Sequence, residues 1–458
     1  MLRQMAVFLG VKHEWFSLAA SCRARPTLTM GLVPRSLLVP LAVLAVVVAA
    51  SLAEQAPAED EYTWPQWELP LVRTRRTVAL SSPSFSARPQ AELSATCGIE
   101  CQRRLPEPSL LDLEQFLSYE TVYENGTRTL TSVSVQGLDA PVRNSSSRPA
   151  SSAKSRRKRE VYGMDTRFTI ADKLYSTKYP FSTTVKISTG CSGVLLSPKH
   201  VLTAAHCIHD GRDYLSGAQK LRVGILKEKS RRGKGGKGKG GRGGKGKRRK
   251  EEGGKDEEQP EENQEKGKKG KGKGRKSRSR RSADKADKPS FKWTRVKQTQ
   301  VPKGWFKGGA SEGVAADYDY AVLELKKAQK VKHMDLGVVP SVKKLPASRI
   351  HFSGFDDDRP GNLVYRFCSV SEESKDLLYQ YCDAEAGSSG SGVYVRLKEP
   401  GKKRWKRKII GVFTGHRWVD ANGNGEQQDF NVAVRITPLK YAQICYWVHG
   451  DSSQCRAA

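Results

Sequence analysis

Large apolar side chains are scarce in this 458-residue chain: hydrophobic residues make up 37% of it and aromatics 8%. The length would accommodate two or three domains, but so little apolar material leaves much less than the full length as packed core. Acids are also short, 48 Asp and Glu against 80 Lys and Arg, giving a formal net charge of +32. That imbalance excludes an ordinary balanced surface and points to a polyanionic partner: nucleic acid, anionic membrane or sulfated glycan. Long apolar runs are missing except for "LLVPLAVLAVVVAASLA", Leu37 to Ala53. This run sits at the lower length limit for a membrane span. Arg35 precedes it and small residues end it, so it reads as a secretory signal, with a membrane anchor as the competing reading. Residues 1–53 are therefore expected to be an upstream extension and signal peptide, and the product to be secreted without a stable membrane anchor.

Secretion changes how the remaining features are read. Beyond Cys22 the chain has eight cysteines, an even number that suggests disulfides in an oxidising compartment. The sequons at Asn125 and Asn144 fit that compartment as glycosylation sites. From Glu54 to Arg159 the sequence is polar and mostly irregular, with one helix expected in "PSLLDLEQFLSYE", where Leu110, Leu113, Phe116 and Leu117 recur at helical spacing. The stretch closes on "SSRPASSAKSRRKR", a basic cluster read as a proprotein-convertase site cutting between Arg159 and Glu160. Residues 54–159 thus form a candidate propeptide.

Residues 160–458 change texture to short alternating strands separated by turn residues, the pattern of an all-β barrel or sandwich. "PLKYAQICYWVHG" adds a C-terminal helix starting at Pro438, with Tyr441, Ile444, Cys445 and Val448 on one face. Residues 229–288 interrupt the strands with 25 Lys or Arg, 10 Asp or Glu and 15 Gly. Such a segment buries too little to offset ordering entropy and is expected to be a disordered insertion. Loop closure grows only logarithmically with length, so the fold tolerates it. Secretion argues against nucleic acid as its ligand and for heparan sulfate-like glycan, with a merely solvated loop as the alternative.

Nucleophilic serine chemistry needs a base beside the hydroxyl and a carboxylate to orient that base. "HVLTAAHCIHD" places His206 after a strand and beside Cys207, with His209 as competitor. A Cys191–Cys207 bridge would clamp the loop and contribute roughly 3 kcal/mol on the chain-entropy model. "DYDYAVLEL" sets Asp319 just before a strand, with Asp317 also available. In "GSSGSG", Ser389 lies between Gly387 and Gly390, whose freedom permits a turn aiming the Gly387 and Ser389 amides at one point, an oxyanion hole.

These residues, in the order His206, Asp319, Ser389, resemble the trypsin-like serine peptidase family. The resemblance implies two antiparallel β-barrels of the chymotrypsin type with the active site between them, peptide or protein substrates, and no cofactor or metal. It has two departures to explain. Ser388 stands where trypsin-type zymogens carry the aspartate that pairs with the freed amino terminus, and the new terminus would be "EVYG". An inserted ammonium would meet no charged partner there, so cleavage after Arg159 is expected to release a propeptide without that switch. For specificity, Asp383, six before Ser389, falls where the family places an acid selecting Arg or Lys, while Thr414 and His416 lie near the expected pocket wall and favour a glutamyl preference as the rival. Two functions follow: a secreted serine endopeptidase, or an inactive homologue that binds matrix polyanions.

Overall fold

The computed structural model describes residues 63–88, 98–138, 164–227, 291–306, 315–345, 349–421 and 423–455, all within the compact unit Glu59–Ala458. The signal run, the convertase site, Asn144, Cys97 and the basic insertion lie outside the described residues.

The chain builds two closed six-stranded antiparallel barrels, as the resemblance implies. The first contains β5 (Thr184–Ile187), β6 (Ser192–Leu195), β7 (His200–Thr203), β8 (Arg222–Leu226), β9 (Phe291–Pro302) and β10 (Ala321–Leu325), closed by pairing of β8 with β9. The second contains β11 (Arg349–Gly354), β12 (Leu363–Glu373), β13 (Leu377–Gln380), β14 (Gly392–Lys398), β15 (Trp405–Asp420) and β16 (Gln427–Arg435), closed by β11 with β12. A short β4 (Phe168–Ile170) joins the outside of β12. Val185, Val194, Leu202, Val223 and Leu323 fill the first barrel; Phe352, Val393, Ile410 and Phe413 fill the second. Closure leaves no free edge within either six-stranded barrel.

The long insertion has little effect on this geometry. It joins β8 to β9, and these strands pair directly, with Leu226 opposite Phe291. The loop ends are therefore already together, whatever the loop's length.

The segment before Arg159 corrects the expectation of a mostly irregular propeptide. It contributes β1 (Leu71–Leu80), β2 (Tyr119–Tyr123) and β3 (Arg128–Gln136), and β2 pairs with β9 from Tyr119 opposite Pro302 to Tyr123 opposite Gln298. The first sheet thereby extends to nine strands. "LVRTRRTVAL" hides its identity because an outer strand leaves most of its side chains in water, so little apolar alternation is required. Alongside α1 (Ile99–Arg104), the expected helix forms as α2 (Leu110–Leu117), with a reciprocal Ser109–Asp112 capping box. After α3 (Lys173–Ser176), the last helix α4 (Pro438–His449) starts at Thr437 and Pro438 and stops at left-handed Gly450. Buried Gln443 of α4 takes the Tyr320 hydroxyl and donates to the Leu117 carbonyl, tying helix, first barrel and pro-segment together.

Candidate active site

Two hairpin-like neighbours create the base and its orienter. β10 pairs antiparallel with β7, Ala321 opposite Thr203, so the residues just before β10 lie against those just after β7. His206 occupies a 3-10 turn, Ala205–Cys207, and the Cys191–Cys207 disulfide forms as expected. Asp319 is fully buried. Its Oδ1 accepts the His206 backbone N–H at 2.9 Å, and its Oδ2 lies 2.8 Å from Nδ1. One carboxylate thus holds both the ring and the turn that carries it.

The competing residues have other duties. His209 is buried against Tyr214 and Phe306, and its Nδ1 accepts the Gly211 N–H. Burial pulls its pKa down to about 4. Asp317 interacts with Asp376, Lys440 and Arg417; burial, then Asp376, push its carboxyl up to about 7. Ser391 is buried and donates to the Ser388 carbonyl.

Ser389 precedes β14 in a turn that only glycine can complete. Gly387 and Gly390 have φ of 92° and 84°. A Cβ on Gly387 would stand 2.5 Å from the Phe355 carbonyl, and one on Gly390 would stand 2.2 Å from Thr203 Oγ1. The first barrel grips this turn: Ser192 N–H donates to the Ser389 carbonyl at 2.8 Å and Ser192 Oγ to the Gly387 carbonyl at 2.7 Å. Gly390 N–H is taken by the Phe413 carbonyl. Among the described residues the N–H groups of Gly387 and Ser389 have no hydrogen-bond acceptor, leaving two donors in a half-buried turn. A Cβ on Gly415 of β15 would lie 3.7 Å from Ser389 Oγ, which places the hydroxyl against that strand.

Neutral Ser388 is satisfied locally. It is fully buried, and its N–H and Oγ both donate to the Glu385 carbonyl, at 3.0 and 2.5 Å. No charged partner is needed at this position.

Asp383 requires a correction. It is buried, and its Oδ2 accepts both the N–H and the hydroxyl of Thr166 at 2.7 Å. The Cys368–Cys382 disulfide beside it fixes the loop. Asp383 therefore anchors the chain seven residues past Arg159 and does not stand open to a substrate cation. The next residue, Arg167, reaches Asp356 at 2.8 Å and Asp358 at 2.7 Å, while Asp356 also pairs with buried Arg366. Asp357 N–H donates to Ala386 in the serine turn. Thr414 donates to the Val432 carbonyl, and half-buried His416 pairs through Nε2 with Asp429. Asn125 occupies the exposed β2–β3 turn, where its Oδ1 accepts from Thr127 N–H and hydroxyl.

Sequence reasoning missed Arg417. Its guanidinium is buried, 4.0 Å from Asp319 Oδ2, and among the described residues none of its nitrogens has a hydrogen-bond partner. Burial lowers its pKa, while Asp319, Tyr379 and Asp317 oppose that. The register shift between Phe413 and Gly415 resets the alternation of β15, so Arg417 faces inward and Trp418 outward. In "GHRWVD" the cue to it is Val419, two residues on and buried like Arg417.

A family model described as Trypsin matches residues 171–242. Inactive serine protease 35 of Bos taurus is 62% identical over 407 residues, covering 88% of this chain and 96% of its own, and that of Homo sapiens is 58% identical over 406 residues with the same shares. Serine protease 23 of Bos taurus is 50% identical over 394 residues, covering 86% and 92%. A solved Glu endopeptidase structure in complex with MPD has a TM-score of 0.39 and 19% identity, covering 63% of this chain and 98% of that one, too distant to bear on specificity. With identity this high over nearly the whole length of the relatives, the chain belongs to the trypsin-like serine protease family, alongside proteins named inactive serine protease 35 and serine protease 23.

Proposed function

We propose that this chain is a secreted serine endopeptidase acting through an acyl-enzyme. The observation that carries the reading is the His206–Asp319 pair, a buried carboxylate holding both the ring and the backbone of the base at 2.8 and 2.9 Å. With the proton on Nδ1, Nε2 is the basic nitrogen. It takes the Ser389 proton as Oγ attacks the substrate carbonyl carbon, and Asp319 stabilises the imidazolium. The Gly387 and Ser389 amides donate to the developing oxyanion. The imidazolium then protonates the leaving amine, and water removes the acyl group by the same route. Cleavage between Arg159 and Glu160 by a proprotein convertase, glycosylation at Asn125 and Asn144, and glycan binding through residues 229–288 belong to the same proposal. With Asp383 engaged by Thr166, primary specificity falls to the β15 wall around Thr414 and His416.

A second reading, an inactive scaffold that binds matrix polyanions, draws on the word "inactive" in the names of relatives. Ser389 is nevertheless a serine here. Treating the Arg159-cleaved chain and its Ser389→Ala variant with a fluorophosphonate probe separates the two. Labelling that disappears with Ser389→Ala supports the peptidase; no Ser389-dependent labelling leaves the scaffold.

A further inference from the structure

The outer face of the second barrel carries cations that the fold does not pair. Arg396 of β14 lies opposite Arg407 of β15, and Lys398 opposite Trp405. On the other side of β14, His351 of β11 lies opposite Tyr394. Continuing that antiparallel register by two residues sets Arg349 against Arg396. Three arginines therefore stand in one row across three adjacent strands. Like charges placed opposite one another in a sheet are destabilising, and neighbouring acids usually relieve them. Here Arg349, Arg396, Arg407 and Lys398 make no ion pair among the described residues. The flanking Lys406 has taken the nearby acids, bonding Asp335 at 2.7 Å and approaching Glu399 at 3.9 Å.

Aromatic rings hold these cations in place. Arg349 lies 5.0 Å from the centroid of Phe367, Arg396 5.2 Å from that of Trp405, and Arg407 5.9 Å from that of Tyr179. Trp405 itself is 40% exposed. Such contacts favour the cations at these positions without consuming all their N–H donors. Adjacent strands are about 4.8 Å apart, so the row spans roughly 10 Å. One small anion cannot meet all three groups, but a chain bearing repeated anions can.

We propose that the β11–β14–β15 face is a docking surface for a sulfated polysaccharide, separate from the insertion at residues 229–288. Arginine forks bind the sulfate oxygens in pairs, and the Trp405 ring keeps Arg396 and Lys398 beside it on that face. Choosing a sulfated glycan over nucleic acid rests on the secreted reading above, which recovery of the chain from culture medium tests independently.

The test uses the full-length chain on immobilised heparin in a salt gradient, with variants Arg349→Gln/Arg396→Gln/Arg407→Gln, Trp405→Ala, and deletion of residues 229–288. The triple variant is expected to elute earlier in both the full-length and the deleted background, and the slope of log Kd against log salt to fall by about two. Thermal melting checks folding, and removal of facing like charges should leave the midpoint unchanged or raised. If the triple variant melts early, Arg349→Gln and Arg396→Gln singly, both at exposed positions, replace it. Unchanged elution in both backgrounds overturns the surface. Equal competition by desulfated heparin, or stronger competition by an oligonucleotide of equal charge, overturns the sulfated-glycan assignment. Ser389→Ala should elute with the parent, so a failed peptidase reading does not alter this result.

Discussion

Arg417 sets a guanidinium behind the carboxylate that orients the base, with no hydrogen bond to hold it among the described residues. A cation there competes with His206 for Asp319. Arg417→Met should therefore speed fluorophosphonate labelling of Ser389 by up to about tenfold, the equivalent of roughly 1.4 kcal/mol. Arg417→Lys should label near the parent's rate. Labelling kinetics of the Arg159-cleaved chain check this; an unchanged rate in Arg417→Met would refute it. His209 gives the second residue-scale expectation. Its folded pKa, about 4, lies below the unfolded value near 6.5, so the unfolded chain binds the proton first as pH falls. Stability is full above pH 6.5 and declines toward pH 4, by about 2 kcal/mol at pH 5. His209→Asn keeps an acceptor for Gly211 N–H and should flatten that part of the pH–stability curve, measured by urea unfolding at pH 7 and 5.

At the scale of elements, the loop bearing Ser389 is held by the start of the barrel chain. Thr166 binds Asp383, Arg167 binds Asp356 and Asp358, and Asp357 binds the turn at Ala386. These contacts surround the turn where trypsin-type enzymes insert a terminus. Asp383→Asn is expected to lose about 1–3 kcal/mol, since a buried carboxylate's two donors are left with a weaker acceptor. It should also slow labelling without altering the preferred residue on the acyl side of the cut, which a peptide library measures. A switch away from Arg or Lys would instead restore Asp383 as the pocket acid. The contact was invisible in the sequence because 217 residues separate its partners. The candidates His206 and Ser389, by contrast, were legible: "TAAHC" and "GSSGSG" join each side chain to the local turn residues that aim it.

Across the whole molecule, residues 63–88 and 98–138 share one sheet with the barrel body through β2 and β9, with Phe116 packed on Tyr318 and Tyr119 on Trp447. Aromatic pairs add about 0.5–1.5 kcal/mol each beyond area burial, and the ladder bonds add to that. After cleavage at Arg159 the pro-segment should co-elute with the body in size exclusion under reducing, non-denaturing conditions. Clean separation into two species would show that the shared sheet does not hold. Co-elution would replace the expectation of a released propeptide.

Local chemistry was enough to read the all-β body, the C-terminal helix and the candidate residues His206, Asp319 and Ser389, and to raise the expectation of secretion. Glycine permissiveness, capping and strand alternation act over a few neighbours, so they are written in short stretches. The engagement of Asp383, the burial of Arg417, the strands of the pro-segment and the arginine row came only from the folded chain. Each depends on which distant strand lies alongside, and burial and like-charge proximity are properties of that pairing. For Ser388 the two levels meet: the sequence raised the missing charge, and the turn around Glu385 removed the need for it.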